Sequence, residues 1–129
     1  MADFIMFNEG KAELENNGLP STCRFDLSTK TADELGASAT FAGGFAKATG
    51  TGYAEKTQAE PTSVAGVAAF AKMTWETGSA TDWPSGVKSV VLRTGSILIC
   101  AWNLQAGGAA RDMSKAKTNE SYTPTLNLS

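Results

Sequence analysis

An all-β fold, built as a single antiparallel β-sandwich with a short N-terminal helix and extended loops, is what this sequence predicts. Three observations carry the prediction. Runs of β-branched and aliphatic residues recur between clusters of turn residues. Several of those runs alternate apolar and polar with the period of a half-buried strand. Only one stretch has the caps of a helix, and the pieces of a parallel strand–helix–strand unit are missing. The 129 residues suit one domain with a real core. Residues 1–20 form its lead and helix, and residues 21–129 its sandwich body. No fixed-period repeat suggests a solenoid or propeller.

In chain order, residues 1–7 are a short apolar lead. Asn8 is placed to cap a helix over 9–16, with Glu9 in the first turn and Gly18 as the stop before Leu19-Pro20. The helix is mostly polar, so it is expected to lie on the surface and rest on the body through Phe4, Phe7 and Leu14. Residues 21–28 alternate cleanly: Cys23, Phe25 and Leu27 fall on one face, and Thr22, Arg24 and Asp26 on the other. That is the pattern of a half-exposed strand. Residues 31–36 read as a turn or a single helical turn. Residues 37–52 are rich in Ala, Gly and Thr, which predicts a long loop with weak strand character or an arm that orders on contact.

A short strand follows over 53–58, then a turn at Pro61. Over 66–76 the alternation places Val67, Ala69, Ala71, Met73 and Trp75 on one face of a single strand. Residues 77–86, with Asp82-Trp83-Pro84, read as a loop, and 105–119 as a polar, Gly-rich connection. The chain closes on a strand over 120–128, where Pro124 on the apolar register indicates a sheet edge.

Residues 87–104 form the central hairpin. With Thr94-Gly95 as its turn, Val91 faces Leu98, Ser89 faces Cys100 and Val87 faces Trp102. Val90, Leu92, Ile97, Ile99 and Ala101 then occupy the opposite face. Both faces are mostly apolar, so something has to cover each of them. The N-terminal segment, the 37–52 loop and a neighbouring subunit are the candidates for the second cover.

Composition narrows the function more than it names it. Val, Ile, Leu and Phe total 23 residues while Ala alone contributes 20, so the core is lightly built. The formal net charge is only −2, and no Lys/Arg stripe suggests a nucleic-acid partner. No apolar run is long enough to span a membrane, and the 4–7 segment is too short for a signal-peptide core, so a soluble, non-exported protein is expected. Histidine is absent, which removes Ser-His and Cys-His catalysis and histidine metal sites. Cys23 and Cys100 sit in apolar register and read as two buried thiols.

No motif supplies a catalytic, cofactor or metal site. Gly50-Thr51-Gly52-Tyr53 begins like a nucleotide fingerprint, but Glu55 stands where its third glycine belongs and no helical run follows. Asp33, Glu34, Asp82 and Asp112 lack the spacing of a calcium loop. Asp26, Glu55, Glu60 and Glu76 are the carboxylates that a histidine-free glycosidase would draw on. Trp75 and Trp102 lie in register with apolar neighbours and belong to the core. Trp83, beside Pro84, is either a sugar-stacking residue or an end cap.

Taken in order, Phe4-Ile5-Met6-Phe7-Asn8-Glu9-Gly10-Lys11, Gly50-Thr51-Gly52-Tyr53, Met73-Thr74-Trp75 and the 87–104 hairpin resemble small structural proteins of tailed-bacteriophage particles. That resemblance implies a non-enzymatic virion protein, either a capsid decoration (cement) protein or a tail-accessory protein. For the first it implies a homotrimer on the capsid surface, assembled in the host cytoplasm, with the major capsid protein and copies of itself as partners and neither nucleic acid nor membrane. Phe4, Met6, Phe7, Phe41, Phe45, Trp83 and Arg111 are the candidate contact residues. The alternative is a tail or fibre module that recognises a host glycan through Trp83 and Arg111.

Overall fold

The computed structural model describes residues 3–48, 55–76, 86–110 and 119–127. Along the chain lie β1 (Phe4–Met6), α1 (Asn8–Asn17), β2 (Thr22–Ser28), α2 (Ala32–Leu35), β3 (Lys56–Ala59) and β4 (Ser63–Val64). They are followed by β5 (Val67–Ala69), β6 (Met73–Glu76), β7 (Ser89–Thr94), β8 (Ile97–Asn103), β9 (Asn119–Tyr122) and β10 (Thr125–Asn127). The fold is all-β and every strand pair is antiparallel.

The main sheet has the order β1-β8-β7-β2-β3. Two smaller sheets, β10-β5-β4 and β6-β9, supply the apolar residues that meet its inner face. Phe25 of β2 meets Phe70 edge-on at 5.0 Å, and Trp102 of β8 lies 6.3 Å from Tyr122. Gln58 on the edge strand β3 ties the layers together. Its amide donates to Ala71 O and accepts from Ala71 N, both at 2.9 Å.

Residues 66–76, read as one strand, are two. Ala68 and Phe70 are buried in the first half, and Met73 and Trp75 in the second, so the inward phase slips by one near Ala71-Lys72. Val67, Ala69 and Ala71, expected to face inward, are exposed. Each half then pairs in its own sheet, β5 with β10 and β6 with β9. Pro124 divides the C-terminal strand in the same way, since it has no N–H to give a ladder.

The hairpin also differs from its expected register. Thr94 pairs with Ile97, so the turn is Gly95-Ser96, with Gly95 in left-handed φ at 47°. Arg93 pairs with Leu98 but Leu92 with Cys100, which leaves Ile99 as the extra residue of a bulge. Beyond it Val90 faces Trp102 and Val91 faces Ala101. The bulge rotates the far half of β8, so Cys100 and Trp102 share the core with Val90 and Leu92, and Ala101 joins Val91 on the other side. A turn placed by residue type carries no signal for an inserted residue.

Helix α1 begins one residue before its expected start. Phe7 is the N-cap and makes no side-chain cap bond, so Asn8 is inside the helix. Gly18 ends it with φ 70° and donates to Leu14 O at 2.9 Å. Gly10 is the contact with the body: a Cβ there would stand 2.3 Å from Ile99 O. The bulge and the glycine therefore meet, and the helix rides on β8 where only a glycine fits. Among the described residues no helix is long and apolar enough to cross a membrane.

Candidate functional site

The outer face of the main sheet is where the chain concentrates its polar side chains. From β2 it receives Arg24, Asp26 and Ser28, from β7 Ser89, Val91 and Arg93, and from β8 Leu98, Ala101 and Asn103. Asp26, Ser28, Ser89, Arg93 and Asn103 are all buried. They are buried because residues 30–46 lie across them, helped by Phe7 and Ile5 of the lead. Leu35, Ala39 and Phe45 pack on Val91, Leu98 and Ala101 with Phe7, and Phe41 closes the cluster.

Each polar side chain has a defined job in holding that cover. Ser28 Oγ donates to Phe45 O at 3.0 Å, and Ser89 Oγ donates to Lys30 O at 2.7 Å. Asn103 Oδ1 accepts from Ala32 N at 2.8 Å, at the start of α2. Thr31 and Glu34 form a reciprocal capping box around that start. Asn103 Nδ2 donates to Asp3 Oδ1 at 3.0 Å, and Gly107 N reaches the same oxygen at 2.8 Å. Those two bonds hold the Asp3 carboxyl below its ordinary range, Asn103 contributing most. Glu9 joins three elements: its Oε1 accepts from Leu98 N at 2.6 Å and from Phe41 N at 3.3 Å.

An ion cluster sits at one end of the covered face. Arg93 Nε donates to Asp26 Oδ2 at 2.5 Å, its Nη1 to Gly95 O at 2.5 Å, and its Nη2 to Glu55 Oε2. Arg24 Nη1 reaches the other oxygen of Glu55 at 2.7 Å, and Lys47 Nζ lies 3.7 Å from Asp26 Oδ1. The Phe41 ring lies over the guanidinium, 4.9 Å from its carbon. Asp26 is fully buried, not on the exposed side of a half-exposed strand, because β2 lies between β3 and β7 beneath the cover.

Two of the four candidate carboxylates, Asp26 and Glu55, are thus brought together by Arg93, each bonded to cations within a packed face. Glu60 is exposed and Glu76 ends β6, away from this cluster in the sheet order. Among the described residues no group of His, Cys, Asp and Glu could hold a metal ion.

The candidate contact residues divide sharply. Phe7 is fully buried and Phe45 is 6% exposed, so both are core residues of this chain, not surface contacts. Met6 and Phe41 are half-buried against the two cores. Phe4 is 38% exposed on the edge strand β1, its ring 5.8 Å from Trp102. Trp83, Arg111 and the Gly50-Thr51-Gly52 stretch lie outside the described residues. Trp75 and Trp102 are core residues as expected, and Cys23 and Cys100 are buried free thiols.

Comparison of the chain with family models, curated proteins and solved structures found no match.

Two surface features escaped sequence reasoning. The β4–β5 hairpin turns through Ala65-Gly66, both with positive φ, and leaves Val64 72% and Val67 37% exposed. Residues 61–71 contain no charge, so the β4 edge lacks the lysines that usually protect a free strand. The signal was the charge-free run itself, which spans the turn read at Pro61 and the start of the strand read over 66–76. The second feature is a groove of about 370 Å³ along α1, lined by Met6, Leu14 and Leu19 with Lys11 and Glu15.

Proposed function

We propose that this chain is a non-enzymatic structural protein of a tailed-phage particle, a decoration protein that binds the outside of the capsid and stabilises it. The N-terminal lead carries this reading. It is one of the stretches through which the chain resembles such proteins, and most of it has a structural task. Phe7 and Ile5 close the outer cluster, Glu9 pins the bulge and the cover, and Gly10 seats the helix on β8. Phe4 lies at a sheet edge with its ring partly exposed beside Trp102. With Val64 on the edge strand β4 it gives the chain exposed apolar points at sheet edges that can meet a partner.

On this reading the partners are the major capsid protein and two further copies of the chain, and the location is the capsid surface. The trimer rests on the resemblance. The doubly apolar hairpin no longer argues for a neighbouring subunit, because residues of the chain itself cover its second face.

Adding purified protein to capsids that lack it tests the proposal. Saturable binding in many copies per particle, with a raised temperature of shell disruption, is expected. Phe4→Lys and Val64→Lys should weaken binding without unfolding the chain. Binding confined to a few tail positions, or no binding to shells by a folded protein, would overturn it. Sedimentation equilibrium checks the trimer separately.

A further inference from the structure

We infer that Asn17-Gly18 is a site of spontaneous deamidation, and that the conversion loosens the end of α1. The inference is independent of the functional reading above. Asn17 is the last residue of α1 and is exposed. Of the asparagines at 8, 16, 17, 103, 119 and 127, only Asn17 precedes glycine. Gly18 has open space where a Cβ would be, so no side chain shields the amide nitrogen that must attack.

The chemistry needs only water and a weak base. The deprotonated Gly18 nitrogen attacks Asn17 Cγ, an N–C bond forms, the Cγ–Nδ2 bond breaks, and ammonia leaves. Water then adds to one of the two carbonyls of the cyclic imide and breaks one of its C–N bonds. The product is aspartate or isoaspartate. In the intact helix Gly18 N–H donates to Leu14 O at 2.9 Å, so attack requires the last turn to fray, as helix ends do.

The surroundings make the change disruptive to the helix end. Asn17 Nδ2 donates to both oxygens of Glu13, at 2.9 and 3.0 Å. Deamidation removes that donor and sets a carboxylate against Glu13 one turn away. It also adds negative charge at the negative end of a helix whose last turn has no basic residue. Each converted molecule therefore frays more. In a chain that is made once and not replaced, the product accumulates.

Intact protein held in mildly alkaline buffer and followed by peptide mapping tests this. Loss of the Asn17 amide ahead of every other asparagine, with aspartate and isoaspartate peptides appearing together, is expected. Asn17→Gln should stop the acidic species from forming, and Asn17→Asp should lower hydrogen-exchange protection in the last turn of α1. Persistence of Asn17 in the folded protein, while a urea-unfolded sample converts, would overturn the site. So would unchanged acidic product in Asn17→Gln. Full protection of the last turn in Asn17→Asp would overturn the loosening.

Discussion

Replacing Asp26 by Asn removes one charge from the most enclosed ion pair among the described residues. The Asp26 side chain is 0% exposed and that of Arg93 9%, so neither charge can be rehydrated without lifting the cover. Breaking a buried pair from one side costs about 3–5 kcal/mol, because the remaining charge is left without its counter-ion. Two contacts moderate that figure: Arg93 keeps Glu55 and Gly95 O. The Lys47 contact adds little, being 40% exposed. A loss of about 3 kcal/mol is therefore expected for Asp26→Asn, against about 5–15 kcal/mol for a typical domain. The double variant Asp26→Leu/Arg93→Met removes both charges and keeps an apolar contact for Phe41. It should fall within about 1 kcal/mol of the original chain, as replaced buried pairs often do. Urea unfolding of the original chain, Asp26→Leu, Arg93→Met and the double variant completes the cycle, and unchanged m-values license the comparison. Asp26→Asn costing under about 1 kcal/mol would refute the reasoning, since it would mean the pair is hydrated.

Three further outcomes are expected. Gly10→Ala should cost about 1–3 kcal/mol by overpacking, since its Cβ would meet the Ile99 carbonyl at 2.3 Å and rigid backbone cannot yield; thermal unfolding reads it, and an unchanged Tm would refute the close contact. Burial pushes the Cys23 thiol up to about 11 and that of Cys100 well above its ordinary value. Both should therefore resist a thiol reagent at neutral pH and react together on unfolding. Trp75→Phe should cost less than Trp102→Phe, because the buried Trp75 indole N–H has no hydrogen-bond partner among the described residues whereas Trp102 Nε1 donates to Thr125 O at 3.0 Å. Equal losses in denaturant unfolding would show that ring volume alone sets both.

The legible part of the fold was the part governed by period. Cys23, Phe25 and Leu27 lie in the core where alternation placed them, and Trp75 and Trp102 are buried beside apolar neighbours. Alternation assumes that a strand continues, however, and two interruptions broke it. The inward phase slips between Phe70 and Met73, and a bulge at Ile99 turns half of β8 over. Neither residue is a glycine or proline, so nothing in the local sequence marks the place. The ion cluster was illegible for a related reason. Asp26 alternates with core residues, and an outward carboxylate looks the same whether its face meets water or another segment. Only the pairing of β2 between β3 and β7, beneath residues 30–46, decides between them.

That cover also changes what an assembly has to explain. Two apolar faces on one hairpin called for a second cover from the N-terminal segment, the 37–52 loop or a neighbour; the chain itself supplies it, and the second face is only partly apolar. Ser28, Ser89 and Asn103 bind the backbone of residues 30–46, and Val91, Leu98 and Ala101 hold Leu35 and Phe45. A segment rich in Ala and Gly suits this task, because its carbonyls can approach a sheet closely enough to accept from short side chains. Such a segment has little left to give a partner: Phe45 is already core and Phe41 already lies on Arg93. Association in a particle would therefore have to run through strand edges, at Phe4 on β1 and at the charge-free β4–β5 hairpin. Variants at those edges should then separate binding from stability, whereas variants in the cover should lose both together.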